Sequence, residues 1–260
     1  MEHPIFKKIE NSQSPDFGDI FSKSFELYKQ VFTQGMVHVL VSLVVIIPFV
    51  LVIYIPILPM YIDAISGGYD PYYGDTMFDN YSPVIIILWF LLVLVLSFLM
   101  QAVNYSIYGN FLKMLKNEDM GLSEETGGYF SLLKKHFSKL VMLTLATMGI
   151  AILAALLCYL PLLYAMVPLQ LMLPIFVFNE DLSVGDIVKA AFKLGNKHWF
   201  IIFGLLFVGS LLSSLGAILC YIGMIATLFF TYIILYYIYK ETVGFEDDNA
   251  ISNIGQSEDE

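Results

Sequence analysis

Long apolar stretches without a charged residue dominate the pattern of the chain. They cover residues 36–62, 83–112, 140–178 and 199–239. A helix needs about 20 residues, at about 1.5 Å each, to cross the hydrocarbon core of a bilayer. The first two stretches therefore predict one span each. The other two, of 39 and 41 residues, have about twice the length that one span needs.

Each of the two longer stretches has a helix breaker near its middle. Pro161 lacks the backbone N–H that a helix interior needs, and Gly223 is a weak helix former. We therefore expect each stretch to fold back as a hairpin, which brings the total to six spans. The predicted spans cover 36–58, 83–109, 138–160, 162–178, 199–219 and 223–240.

Composition supports an integral membrane protein and opposes other classes. Apolar residues make up 58% of the chain and charged residues 14%, whereas soluble domains have roughly 45–50% and about 25%. The net charge of −10 opposes nucleic-acid binding, which needs a basic surface. Cys158 and Cys220 are too few for a disulfide-rich scaffold or a four-sulfur metal site. Membrane lipids are therefore the predicted partners, and no nucleic-acid partner is predicted.

The lysines predict the orientation of the spans, because basic residues are retained on the cytoplasmic side of short loops. All 13 basic residues are lysines. They lie before span one, between spans two and three, between spans four and five, or after span six. The loop 59–82 and the two predicted hairpin turns contain none. Both termini are therefore expected in the cytoplasm.

A unit repeated three times underlies the hydrophobic pattern, with its copies related by shifts of 105 and then 62 residues. Acidic and aromatic matches carry this interpretation, since any two apolar stretches resemble each other. The aligned sets include Asp19, Glu124 and Asp186; Phe25, Phe130 and Phe192; Phe32, Phe137 and Trp199; and Tyr54, Tyr159 and Tyr221. The second shift also matches 117–119 with 179–181, Lys135 and His136 with Lys197 and His198, and Cys158 with Cys220.

Each unit is expected to begin with a short amphipathic helix and to continue as a transmembrane hairpin. Ser183 and Asp186 have the spacing of a capping box, Asp16 and Asp19 repeat it, and Gly121 with Glu124 is a weaker version. The apolar residues of the third copy fall on one helical stripe: Val184, Ile187, Val188, Ala191, Leu194 and Gly195. We expect these helices to lie along the cytoplasmic interface, with the stripe in the acyl boundary.

This pattern predicts an all-α polytopic membrane fold made of three tandem units. Residues 1–15 are expected to be a flexible cytoplasmic segment, and 242–260 a disordered acidic tail. Between them lies a six-helix membrane domain, 16–241, with repeats of about 16–116, 117–178 and 179–241.

The repeated unit resembles a known family. It consists of a capped, Phe-containing amphipathic helix followed by an apolar hairpin, and it occurs several times along the chain. It is similar to the six-helix bacterial membrane domain that precedes some glycerophosphodiester phosphodiesterases and occurs alone in YciC-type inner-membrane proteins. The resemblance covers roughly residues 14–241 and rests on a repeated spacing, not an invariant string. It implies a six-helix fold in a bacterial inner membrane. It implies no activity, because the phosphodiesterase relatives owe theirs to a separate soluble domain.

The sequence predicts no catalytic, cofactor-binding or metal-ligating set. Carotene cleavage, an activity attributed to some relatives, would need several histidines around one iron. The chain has His3, His38, His136 and His198, of which His136 and His198 occupy equivalent repeat positions that favour interface anchors. Only His38 falls near a membrane interior, so we reject the oxygenase.

Polar residues inside the spans are few, and none of the four apolar stretches contains Asp, Glu, Lys or Arg. That pattern disfavours ion-coupled transport. One polar cluster lies at the cytoplasmic end of span two, where interhelical hydrogen bonds are favoured over a ligand site: Gln101, Asn104, Tyr105, Tyr108 and Asn110. In span four, Gln170 accompanies Pro161, Pro168 and Pro174, which we interpret as a kink and not a binding site.

Two further features leave alternatives open. The loop 59–82 contains Asp63, Asp70, Asp75 and Asp79, but their spacing does not fit an EF-hand, which favours solvated turns over calcium. Cys158 and Cys220 fall near the outer ends of their spans, so a disulfide is conceivable, although repetition explains their twin positions.

Small residues give a packing prediction, because they allow helices to approach closely. Spans three and five are therefore expected at the centre, and spans one and two facing lipid. The residues concerned are Ala146, Gly149, Ala151, Ala154 and Ala155 in span three, and Gly204, Gly209, Ser210, Ser213, Ser214 and Ala217 in span five.

The leading hypothesis is a non-enzymatic inner-membrane protein with an envelope or lipid-associated role. The alternative is a transporter or channel-like carrier of a small or lipidic molecule, and a membrane enzyme comes third. An interior filled by apolar side chains would favour the first and a continuous polar cavity the second. Convergence of His38 with Asn104 or Gln101 would favour the third. Self-association and a protein partner in the envelope are left open.

Overall fold

The computed structural model describes residues 3–54, 57–66, 82–157, 160–218 and 222–245. Every regular element in these ranges is a helix, which confirms the all-α class for this part of the chain. The helices are α1 Pro4–Asn11, α2 Phe17–Gln30, α3 Phe32–Tyr54, α4 Leu58–Ile65, α5 Pro83–Met120, α6 Ser131–Lys135, α7 Phe137–Leu156, α8 Leu160–Phe178, α9 Val184–Lys197, α10 Trp199–Ile218, α11 Ile222–Thr227 and α12 Phe230–Thr242.

Four helices within the described ranges are long and apolar enough to cross a membrane: α3, α5, α7 and α8. The pair α9 and α10 adds a fifth if counted as one bent span, with an angle of 95° between its arms. The predicted sixth span, 223–240, is divided into α11 and α12. The break at Leu228 and Phe229 places the Phe229 ring in the core, where it stacks on Tyr28 at 5.1 Å.

Helix α5 is longer than the predicted span, because its 38 residues continue through Lys113 and Asp119 to Met120. It ends at Gly121, whose φ of +63° is the left-handed conformation that terminates helices. The middle copy of the amphipathic helix therefore does not begin at Gly121. Residues 122–130 form a loop with Gly127 at φ +73°, and only α6 is helical. Two glycines at 127 and 128 oppose a helix here.

The first and third amphipathic helices form as predicted, with the predicted caps. The Asp19 N–H donates to Asp16 Oδ1 at 2.7 Å, and the Asp186 N–H donates to Ser183 Oγ at 3.1 Å. The apolar stripe of α9 lies in a different environment from the predicted one. It packs on α8, with Ile187, Ala191 and Leu194 fully buried. This stripe is therefore covered by protein and not by acyl chains.

Both ends of the described part of the chain pack against the protein, in contrast to the flexibility and disorder expected there. Residues 4–11, within the segment expected to be flexible, form α1, whose Ile5, Phe6 and Ile9 are buried against the protein. Phe245, within the segment expected to be disordered, is buried beside the Phe178 ring. Residues 246–260 lie outside the described residues.

The most enclosed helices are α8 and α12, so the prediction that spans three and five are central is wrong. In α8, 56% of the most apolar 18-residue window is buried, against 22% in α7. In α12, every residue from Ile233 to Tyr239 is buried. Bulky side chains fill the interior, whereas small residues only permit contact. The apolar windows of α3 and α5 are only 17% and 0% buried by the protein, so both helices have the exposed apolar surface that the prediction of lipid contact requires.

Candidate functional site

The polar residues of α5 make contacts with several different helices. Ser42 Oγ on α3 donates to Asn104 Oδ1 at 2.6 Å. Tyr105 shares a hydrogen bond of 3.1 Å with Thr147 on α7, and Tyr108 stacks on Tyr232 of α12 with ring centroids 3.9 Å apart. These residues therefore hold α5 to its neighbours, as the favoured interpretation of the cluster expects.

His38 pairs with Asn110 and not with Asn104 or Gln101. Its Nδ1 lies 2.7 Å from the Gln34 carbonyl oxygen, and its Nε2 lies 3.1 Å from Asn110 Oδ1. The Asn110 amide nitrogen donates to two carbonyls, which fixes the amide orientation and leaves its oxygen facing the His38 ring. These contacts do not produce the convergence that would favour an enzyme.

Asn110 also holds the loop 122–130 against α5. Its Nδ2 donates to the carbonyls of Thr126 and Gly127, both at 2.9 Å. Ser106, one turn earlier on α5, donates to the Tyr129 carbonyl at 2.9 Å and accepts from the Leu133 N–H at 3.0 Å. Side chains of α5 thus satisfy loop backbone groups that an amphipathic helix would have paired internally.

Replacement of Asn110 by alanine is expected to release this loop. Three hydrogen bonds at a buried site are lost, which should lower the free energy of unfolding by about 2 kcal/mol. Cleavage after Glu124 and Glu125 by a glutamate-specific protease should become about tenfold faster. Ser123→Ala, an exposed change in the same loop, is the matched control. Equal cleavage rates for both variants would contradict the role of Asn110.

Glu180, two residues after α8, is the hub of a charged cluster at one end of the bundle. Its carboxylate accepts from Lys113 at 2.5 Å, and from Lys135 and His136 at 2.7 Å each. Lys139 donates to its backbone carbonyl at 2.5 Å. Burial raises the pKa of Glu180, but the bonds from Lys113, Lys135 and His136 outweigh it and lower the pKa to about 2. The cluster joins α5, α6, α7 and the end of α8.

Asp119, near the end of α5, forms a second hub. It accepts from the hydroxyls of Tyr236 and Tyr237 at 2.6 and 2.7 Å, and from Lys240 at 2.6 Å. Burial raises its pKa, but these three hydrogen bonds outweigh burial, so the net shift is downward. Both hubs come from the repeated strings 117–119 and 179–181, which the sequence shows as a repeat without revealing what they bind.

The equivalent histidines and lysines of the repeat contact different partners. Lys197, equivalent to Lys135, donates to three carbonyls at the end of α1, those of Ile9, Glu10 and Ser12, at 2.5–2.9 Å. His198, equivalent to His136, lies 2.9 Å from Ser12 Oγ, and burial together with Lys197 lowers its pKa. His3 bonds Asp181 at 2.8 Å. Three or more metal-ligating side chains do not cluster anywhere in the described ranges.

A cavity of about 450 Å³ lies between α5, α7, α8 and α12. Its polar wall brings together two glutamines that the sequence presents separately, Gln101 on α5 and Gln170 on α8. The remaining lining residues are Tyr105, Thr147, Leu162, Leu163, Met166, Leu169, Leu173 and Tyr232. The interpretation of Gln170 as an isolated residue in a kinked helix missed this grouping. Only the packing of α8 on α5 reveals it.

Several predicted features fall outside the described residues. These are Asp70, Asp75 and Asp79 of the loop, together with Cys158 and Cys220. The calcium site in the loop and the disulfide between the two cysteines therefore stay open alternatives, as in the sequence analysis. Comparisons of the chain with protein-family models, curated proteins and solved structures give no match.

Proposed function

We propose that this protein is a non-enzymatic, lipid-associated component of a bacterial inner membrane, with six spans in three tandem units. The observation that carries the proposal is the division between its interior and its surface. The largest fully buried side chains are mostly aromatic and aliphatic. Large apolar side chains also stay exposed along the long helices, as at Val44, Leu88, Leu153 and Phe200. Such a surface suits contact with acyl chains.

The helix boundaries support the tandem units, because they follow the register of the repeat. The helices α2, α6 and α9 end at residues 30, 135 and 197, and the next helices begin at 32, 137 and 199. Both sets are separated by the shifts of 105 and 62 residues found in the sequence.

A six-span arrangement follows if α11 and α12 together form the last crossing. The two helices cover 222–242 with a break of two residues, which is the length that a bilayer core requires. In this arrangement the hubs at Glu180 and Asp119 lie at the cytoplasmic side with the lysines. The resemblance to the six-helix bacterial domain is part of the same proposal.

A carrier of a small or lipidic molecule is the second candidate, and the cavity beside Gln101 and Gln170 favours it. The two candidates differ in one measurement. A carrier moves its ligand between the leaflets of a vesicle, whereas a lipid-associated component binds lipid without moving it. Transfer of a labelled lipid across proteoliposomes therefore decides between them.

Cysteine labelling tests the proposed topology. In a Cys158→Ala, Cys220→Ala background, a reagent that cannot cross intact cells should label Ser66→Cys and spare Ser131→Cys. The reason is that residue 66 follows the first span on the lysine-free side, whereas residue 131 lies among the lysines of the cytoplasmic loop. Both should label equally in opened membranes. Labelling of Ser131→Cys in intact cells would contradict the proposed topology.

Lipidomics of the purified chain tests the proposed role. A lipid-associated component should retain a defined lipid class at fixed stoichiometry after detergent exchange. Bulk lipid that falls continuously with washing would contradict the role.

A further inference from the structure

We propose that the cavity between α5, α7, α8 and α12 binds the uncharged head of a neutral lipid, through hydroxyl or carbonyl oxygens. This inference rests on the proposed function and names the class of lipid that it involves. Its basis is the depth of the cavity, the polar groups on its wall and the absence of charge among the lining residues.

The cavity lies near the middle of the proposed bilayer position. Gln170 stands ten residues before Glu180, and Gln101 stands twelve residues before Lys113. At about 1.5 Å per residue these separations are about 15 and 18 Å. The hydrocarbon core is about 30 Å thick. Both amides therefore lie where water is scarce.

Two polar groups on the wall have no hydrogen-bond partner among the described residues. Gln170 is an exposed residue of a span, and the Tyr232 hydroxyl is held beside the cavity by the stacking of its ring on Tyr108. An amide or hydroxyl without a partner costs several kcal/mol in hydrocarbon. Neither group is used to hold the described helices together. A bound molecule with its own oxygens would remove that cost.

The hydrogen-bonding pattern of the wall defines the head. Amides and hydroxyls both donate and accept, so they suit an alcohol, an ester or a ketone. The Tyr105 hydroxyl, paired with Thr147, adds a third such group. No charged side chain lines the cavity to neutralise a phosphate. A diacylglycerol and a quinone share the required chemistry, whereas an anionic phospholipid does not.

The apolar part of the wall suits the tail. Leu162, Leu169 and Leu173 line the cavity along α8. Leu163 and Gln170 are exposed as well as lining, so the cavity opens sideways onto the surface that faces lipid in the proposed arrangement. Its volume of about 450 Å³ is within the range of roughly 300–1,000 Å³ typical of small-molecule sites. It therefore has room for a head and the start of a chain.

The experiment compares three lipids on the purified full chain in detergent. Thermal unfolding is followed with added dioleoylglycerol, with a short-chain quinone, and with phosphatidylglycerol. The neutral lipid that binds should raise Tm in a concentration-dependent way. A rise with dioleoylglycerol identifies a hydroxyl and ester head, and a rise with the quinone identifies a carbonyl head. A rise only with phosphatidylglycerol, or with none of the three, would overturn the proposal.

Gln170→Leu separates a ligand-binding glutamine from a structural one. It should raise the Tm of the lipid-free protein, because an unpaired amide leaves the hydrocarbon, and should weaken the neutral lipid about tenfold, the loss expected of one hydrogen bond. Gln30→Leu, the same change at an exposed position of α2 and away from the cavity, should leave the affinity unchanged. Tyr232→Phe removes one hydroxyl while keeping the ring, and provides the second variant if Gln170→Leu does not fold.

The outcomes distinguish this inference from the proposed function. A lower Tm for Gln170→Leu with unchanged affinity would make the glutamine structural and overturn the cavity site. If purified protein still retained a defined lipid in that case, the lipid-associated role would stand with a different site. If no lipid were retained and none raised Tm, both proposals would fail.

Discussion

Replacement of Glu180 by glutamine is expected to lower the free energy of unfolding by about 3 kcal/mol. The carboxylate is 21% exposed and contacts two lysines and a histidine. Glutamine keeps the volume but removes the negative charge, so the Lys113 ammonium, 28% exposed, is left without its counterion. Breaking a partly buried ion pair on one side is costly because the other charge stays partly desolvated. The measurement is thermal or denaturant unfolding of the purified chain.

Glu124→Gln is the matched control. Glu124 also faces a lysine, but it is 56% exposed, and its oxygen lies 3.5 Å from the Lys116 ammonium. Exposed pairs of this kind contribute about 0–1 kcal/mol. A loss for Glu124→Gln equal to that for Glu180→Gln would show that net charge, and not the cluster around Glu180, stabilises this end of the bundle.

The same hub predicts a dependence of stability on acid. The pKa of Glu180 falls from its ordinary value of 4.5 to about 2 in the folded protein. Because the folded pKa is the lower one, the carboxylate stabilises the fold above about pH 4.5, and this contribution is lost as pH falls towards 2. At about 1.4 kcal/mol per pKa unit, the loss is about 3 kcal/mol. The wild type should therefore lose more stability over this range than Glu180→Gln, and parallel pH curves would contradict the assignment.

Local chemistry explains why the sequence predicts some of the helix boundaries so closely. The caps at Asp16 and Ser183 use bonds between residues three apart, which a sequence shows directly. Likewise, the helix breaks at Val31, His136 and His198 fall at equivalent positions of the repeat, since each copy carries the same local signals. These features need no knowledge of tertiary packing.

Partners distant in sequence explain what could not be predicted. Glu180 and Lys113 are 67 residues apart, and the sequence offers five lysines between spans two and three as alternatives. Gln101 and Gln170 share a cavity only because α5 packs on α8. The end of α1 is covered by Lys197, 185 or more residues away along the chain. Spacing and composition contain none of this pairing information.

The error about the central helices has the same cause. A small residue permits close approach, but the partner decides whether approach occurs. At Gly149 on α7, an added Cβ would meet nothing within 4 Å. At Gly216 on α10, the same atom would lie against the Gly223 carbonyl oxygen and the Thr227 hydroxyl. The two glycines look alike in the sequence and differ entirely in their surroundings.

Alanine at these two positions should therefore have effects of opposite sign. Gly216→Ala is expected to cost about 3 kcal/mol, because the obstructing Gly223 oxygen belongs to the backbone. The α10–α11 contact would have to separate, which also strains the reciprocal bonds of 3.0 Å between Ser213 and Thr227. Gly149→Ala should instead stabilise α7 by about 0.5–1 kcal/mol, since alanine is the better helix former. Unfolding of both variants in the same detergent measures the difference, and a stable Gly216→Ala protein would show that α10 and α11 do not pack this closely.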